Sequence, residues 1–198
     1  MPQVSWTEVV PAVALAIALA ACAGLRAWLP LLLTGAVVRA GVIEVGPAFA
    51  FISSNRALIL FGVASAIEIV ADKIPAIDHA LDVLGTVLRP VAATVLAASV
   101  FGSFADPVTA VALGAAVGAP TALVPHAAKS VLRAASSALT AGVANPVISI
   151  LEDLIAVALF LLAVLVPLLA GGLVLLTAWL IARRLRRRAP SAPAPSTT

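Results

Sequence analysis

Tyrosine is absent from this chain, cysteine and methionine each occur once, and histidine twice. Charge is scarce as well: 11% of 198 residues are Asp, Glu, Lys or Arg. A lone cysteine excludes an intrachain disulfide and any metal site built from several thiolates. No HExxH, nucleophile-elbow, Walker or dinucleotide-binding pattern occurs, so no enzyme, cofactor or metal is expected. Soluble domains carry about 25% charged residues. A chain that is 63% hydrophobic could not cover its surface with polar groups, so a bilayer is its expected solvent. Its mean hydropathy of +1.17 says the same. The 12 glycines and 14 prolines fit transmembrane helices better than soluble ones.

The net charge of +3 is concentrated at one end. Arg183, Arg184, Arg186, Arg187 and Arg188 supply five of the 12 basic residues, which leaves the preceding 182 residues with fewer bases than acids. Nucleic-acid binding therefore finds no support. An arginine cluster directly after an apolar helix is expected on the cytoplasmic side, in contact with anionic lipid head groups. Cys22 ends the string Leu19-Ala20-Ala21-Cys22, which looks like a lipoprotein cleavage box. Residues 1–8 carry no Lys or Arg, and apolar sequence continues to Val38, so Cys22 is read as a small helix residue.

What is present is a series of apolar stretches interrupted by charge. Val9 to Val38 is too long for one plain span of about 20 residues. It is expected to kink at Pro30 or to continue into a second, broken segment, with Arg26 between the halves. Arg39 to Asn55 carries turn chemistry. Arg56 to Ile74 is the next span, ending at Pro75, with Glu68 and Asp72 on one face. Two carboxylates so close in an apolar setting require Lys73, a distant arginine or a cation to neutralise them. Ala76 to Arg89 reads as a separate short amphipathic helix with a stripe of Asp78, Asp82, Gly85 and Arg89, flanked by His79. Pro90 to Phe104 and Pro107 to Val124 read as two apolar helices divided at Asp106-Pro107, with Gly114 and Gly118 forming a GxxxG pair.

His126, Lys129, Ser130, Arg133, Ser136, Ser137 and Thr140 follow at helical spacing and define a polar stripe on one helix. It fits the lining of a wet cavity or an anion path, with the solvated face of an interfacial helix as the alternative. Gly142 to Pro146 ends that helix. Asn145-Pro146 opens another, bearing Glu152 and Asp153, and Pro167 or Gly171-Gly172 divides it from a last helix ending in the arginines. Residues 189–198, APSAPAPSTT, have the composition of a disordered tail. Residues 1–188 thus form a single membrane domain, all-α and polytopic, with about five or six membrane segments, some broken or re-entrant. The segments around Pro30 and Pro125, each followed by paired acids, suggest an internal inverted repeat over about residues 20–89 and 115–165.

The residues that punctuate the apolar sequence resemble those of the DUF4126 family, small bacterial membrane proteins with a domain of unknown function. The likeness is carried by Gly24-Leu25-Arg26-Ala27-Trp28-Leu29-Pro30 and by Glu68-Ile69-Val70-Ala71-Asp72-Lys73-Ile74-Pro75 with Asp78-His79 and Asp82. Arg89-Pro90, His126 with Lys129 and Arg133, Asn145-Pro146 with Ser149, and Glu152-Asp153 extend it to about residue 155. The resemblance implies a membrane location and a shared polar core, and brings no activity with it.

Function is therefore read from the residues. Arg26, Lys73, Arg89, Lys129 and Arg133, with Glu68, Asp72, Asp78, Asp82, Glu152 and Asp153, are expected to form a buried network joined by Asn145. His79 and His126 would be able to relay protons along it. The leading expectation is a transporter or channel for a small solute or ion in a bacterial plasma membrane. In this reading the C-terminus is cytoplasmic, the N-terminus faces outward, and homo-oligomerisation is left open. The alternative is a structural or lipid-interacting protein whose charges pair internally. An intramembrane enzyme acting on lipid phosphate lacks a recognisable motif.

Overall fold

A computed structural model describes residues 5–188, excluding the side chains of residues 75–82, 185, 187 and 188. The proline-rich tail and its expected disorder lie outside the described residues. Seven α-helices and one 3-10 helix follow in order: α1 (Trp6–Leu25), α2 (Trp28–Arg39), the 3-10 helix (Pro47–Ser53), α3 (Asn55–Ala71), α4 (Pro75–Phe101), α5 (Pro107–Thr140), α6 (Asn145–Leu165) and α7 (Pro167–Arg188). Five stretches are long and apolar enough to cross a membrane. The 3-10 helix and α3, bent by 56° at their junction, form a sixth candidate as one broken span. α2, at 12 residues, is too short to span.

The burial pattern identifies the solvent. Inside lie small and polar side chains: Ala16, Ala18, Ala93, Ala97, Ser149 and Arg26 are fully buried. Outside lie large aliphatic ones, among them Ile59, Val63, Ile67 and Val70 on α3, and Leu151, Leu154 and Leu161 on α6. In water that distribution would expose far too much hydrocarbon; against lipid tails it is the stable one. The protein is an integral membrane protein of helical bundle type.

Helix starts follow local chemistry. Ser5 Oγ accepts from Thr7 N at 3.2 Å, Ser54 Oγ from Ala57 N at 3.2 Å, and Asp106 Oδ1 from Val108 N and Thr109 N, both at 3.1 Å. Hydrogen bonds from the Thr109 side chain and backbone hold the exposed Asp106 carboxyl below the usual aspartate range. Pro75, Pro107 and Pro146 stand in first turns, where no helical N–H is lost. α5 ends with Ala141 at φ 50° and Gly142 at φ 84°, a left-handed reversal that glycine adopts freely.

The first apolar run takes the second of its two expected courses: it divides at Arg26–Ala27, where Arg26 is extended (φ −137°), and does not kink at Pro30, which occupies the first turn of α2. Other expected breaks are absent. The amphipathic stretch from residue 76 and the apolar one after Pro90 are a single helix, α4. Likewise α5 continues through Pro120 and Pro125 for 34 residues, so no interruption accompanies Pro125. Each proline removes one backbone bond, and close neighbours keep the helix intact in an apolar surrounding. The last division falls at Val166–Pro167, at the expected proline, leaving Gly171 inside α7 against Ala14.

α4 and α5 form the tightest pairing, through the GxxxG pair. A Cβ on Gly114 would meet Thr94 O at 2.6 Å, and one on Gly118 would meet Ala93 O at 2.5 Å. Gly24 of α1 is in the same position against Ala122 O. Backbones thus touch directly along this seam. It holds α1 so that its last residue, followed by Arg26, points at the polar row of α5.

Candidate functional site

Arg26 is wholly buried, which excludes a snorkelling role. Its Nη1 pairs with Asp72 Oδ2, its Nε lies 2.7 Å from Asp153 Oδ1, and its Nη2 donates to Ser149 Oγ at 3.0 Å. Asp72, just past the end of α3, also receives Lys129 Nζ at 2.9 Å and Arg133 Nη2 at 3.1 Å. Three cations, two from α5 and one from the α1–α2 joint, therefore converge on one carboxylate oxygen. Glu152 of α6 takes the other side of the same bases: its Oε2 lies 2.9 Å from Arg133 Nη2 and 3.2 Å from Lys129 Nζ. Lys73, partly exposed, turns away to Asp153 Oδ2 at 3.4 Å and to the Ile69 carbonyl at 2.9 Å. The neutraliser of Asp72 is thus Arg26 with the two α5 bases, and not its neighbour Lys73.

The row on α5 follows the helical period: Ala122, His126, Lys129, Arg133 and Ser136 are buried, while Ser137 and Thr140 are exposed. The stripe is therefore interior as far as Ser136 and reaches the surface at its last two positions. Asn145 is buried outside the network, where its Nδ2 donates to Ser137 Oγ at 3.0 Å and ties the start of α6 to α5. His126 forms a second cluster with α4. Its Nδ1 meets Arg89 Nη1 and its Nε2 lies 3.3 Å from Thr86 Oγ1. A guanidinium only donates, so Nδ1 accepts and Nε2 is left to donate to Thr86. Asp78, His79 and Asp82 belong to the side chains outside the described set.

Glu68 has a role no local pattern announces. Its two carboxylate oxygens accept from Ala27 N at 3.0 Å and Trp28 N at 3.2 Å. These are N–H groups that the break after Arg26 leaves without helical partners. An anion at the N-terminus of α2 also complements the helix dipole. Glu68 therefore stabilises the break, and one turn later Asp72 binds the arginine that the break turns inward.

Between α2, α3 and α4 lies a cavity of about 150 Å³ whose polar wall is Glu68, Asp72 and Arg89. Asp72 Oδ1, buried, has no hydrogen-bond partner among the described residues, and neither does the Ser65 hydroxyl one turn before Glu68. Around the network, Arg26, Lys73, Lys129 and Arg133 pair with Asp72, Glu152 and Asp153, while Glu68 is held by backbone N–H groups and Arg89 meets His126. No group of three or more His, Cys, Asp or Glu suited to a metal occurs among the described residues.

Sequence reasoning missed Ser149 as an Arg26 partner and the backbone N–H groups of Ala27 and Trp28 as those of Glu68. Both contacts join residues far apart in sequence, and helical periodicity carries no signal for them. At the other end of the molecule, Arg183, Arg184 and Arg186 are exposed on the last turns of α7, with Arg183 stacked over Trp179 at 5.1 Å; the side chains of Arg187 and Arg188 are outside the described set.

No curated protein and no solved structure matches the chain. A family described as a domain of unknown function, DUF4126, matches residues 13–187, a stretch that contains every member of the network described above. The chain belongs to the DUF4126 family.

Proposed function

We propose that this membrane protein moves a small solute or ion past the Arg26 joint, and that the structure holds the path closed. The observation that supports this reading best is the cavity of about 150 Å³ beside Asp72, with a buried carboxylate oxygen lacking a partner among the described residues. At ~30 Å³ per molecule the space suits a few waters or one small ion with part of its shell. Ionisable groups are costly inside a bilayer and usually mark such a pathway. The joint has the chemistry of a binding position in a transporter: a discontinuous helix, a carboxylate at its start, and charges drawn from several helices. Ion pairs that converge on Asp72 would act as a latch, separating when the path opens.

α1 and α7 run the same way, since Ala14 lies against Gly171 while Leu25 shares a cavity wall with Ala178 and Ile181. Their outer ends therefore fall on opposite sides of the bundle. The bias of arginine toward the inner leaflet then puts the C-terminus in the cytoplasm and the N-terminus outside, in a bacterial plasma membrane.

A second reading is favoured by the internal pairing of the charges. Arg26, Lys73, Lys129 and Arg133 each meet an acid of this chain, so the network would serve as a static fastening that fixes helix register. Flux measured on purified protein in liposomes separates the two, across protons, alkali cations, halides, phosphate and small organic acids. Transport of one class above empty liposomes is the expected result. Silence across the panel from folded protein would transfer the assignment to the static fastening.

A further inference from the structure

An apolar groove of about 520 Å³ lies between α5, α6 and α7, within the ~300–1,000 Å³ range of ligand pockets. It is polarised along its length. Leu159, Leu162 and Leu173 line the part near the Val166 turn, while Lys129, Glu152 and Ile181 line the part level with the charge network. Thr177 and Ile181 of α7 stand at helical spacing with Arg184, so the exposed Arg184 continues the groove's own face one turn beyond its polar end. Arg183 is drawn to another face by Trp179.

We infer that this groove is a site for an anionic phospholipid, with one acyl chain along Leu159, Leu162 and Leu173 and the phosphate at Arg184. Any furrow on a membrane protein fills with lipid tails; the positive charge placed past one end, on the same helix face, selects the head group. An apolar wall alone would not orient its occupant, whereas a groove that is hydrocarbon at one end and cationic at the other matches an amphiphile in one direction only. Lys129 and Glu152 belong to both the groove and the network, so the bound lipid shares a wall with the latch on Asp72. The inference is independent of transport and holds equally for a static network.

Ala158 is exposed on the groove wall, so Ala158→Trp obstructs the chain position without disturbing the interior. Arg184→Gln removes the head-group charge at a surface position. Native mass spectrometry of the purified full chain, loaded from mixed micelles containing equal phosphatidylglycerol and phosphatidylcholine, reads the retained lipid. The wild type is expected to retain phosphatidylglycerol about fivefold over phosphatidylcholine, the ratio one basic residue near a membrane surface supplies. Arg184→Gln is expected to bring that ratio to one, and Ala158→Trp to remove retention of both lipids. Equal retention of the two lipids by the wild type, or wild-type retention in Ala158→Trp, would reduce the groove to ordinary annular lipid and overturn the site. Should Ala158→Trp not fold, the Arg184→Gln ratio decides alone: a ratio unchanged from wild type also overturns it.

Discussion

Two interiors share this bundle. Along the α1–α4–α5 seam, glycine and alanine let backbones touch, and stability comes from close contact of small surfaces. Around Arg26, long charged side chains span wider gaps between α1, α3, α5 and α6, and stability depends on each charge finding an opposite. The seam has one close-packed arrangement. The network is assembled from contacts shared among several partners, as when Arg133 contacts Asp72 and Glu152 together. A seam of the first kind suits a fixed scaffold, and a joint of the second kind suits the part that moves.

Substitutions sharpen that contrast. The largest effect is expected at Asp72, because Asp72→Asn leaves three buried cations around a neutral amide. Breaking a buried pair from one side costs about 3–5 kcal/mol. Thermal unfolding in detergent should show it, and the pair Asp72→Asn with Lys129→Met, which restores balance, should recover a substantial part. Next comes the seam. Gly118→Leu forces a side chain into the Ala93 carbonyl and is expected to cost about 1–3 kcal/mol through overpacking. No second-site charge change should repair it, which distinguishes the two interiors directly.

Glu68→Ala follows, at about 0.5–2 kcal/mol for a lost helix cap. Glu68→Gln retains an acceptor and should lose less, a graded pair readable in the same melts. The smallest effect belongs to the exposed cap of α5. Its carboxyl titrates below the ordinary aspartate value, so its contribution is complete above that value and fades as pH falls through the lowered one. Asp106→Asn should therefore melt slightly below wild type near neutral pH and converge with it in strong acid.

How much of this was legible in the sequence depended on the range of the interaction. The α5 row was legible because His126, Lys129 and Arg133 repeat at the helical period, and the GxxxG pair because small residues at that spacing have few other uses in lipid. The break at Arg26 was one of two readings, because the nearby Pro30 offers a competing local signal. What places the break is Glu68, 40 residues away from Trp28, receiving the freed N–H groups. The single helices α4 and α5 were divided at Pro90 and Pro125 for a related reason. Local rules count the lost hydrogen bond, whereas packing of the two helices against each other decides whether the helix continues. The partners within the network were beyond reach, since spacing says which face a charge occupies and nothing of the helix opposite.

The measurement that bears most directly on the central claim is flux through liposomes carrying the charge-balanced double variant, Asp72→Asn with Lys129→Met, beside wild type. If the network is the latch of a path, wild type transports and the double variant, folded by its melting curve, does not. Unchanged flux in the folded double variant would contradict that account and leave the network as a fastening alone.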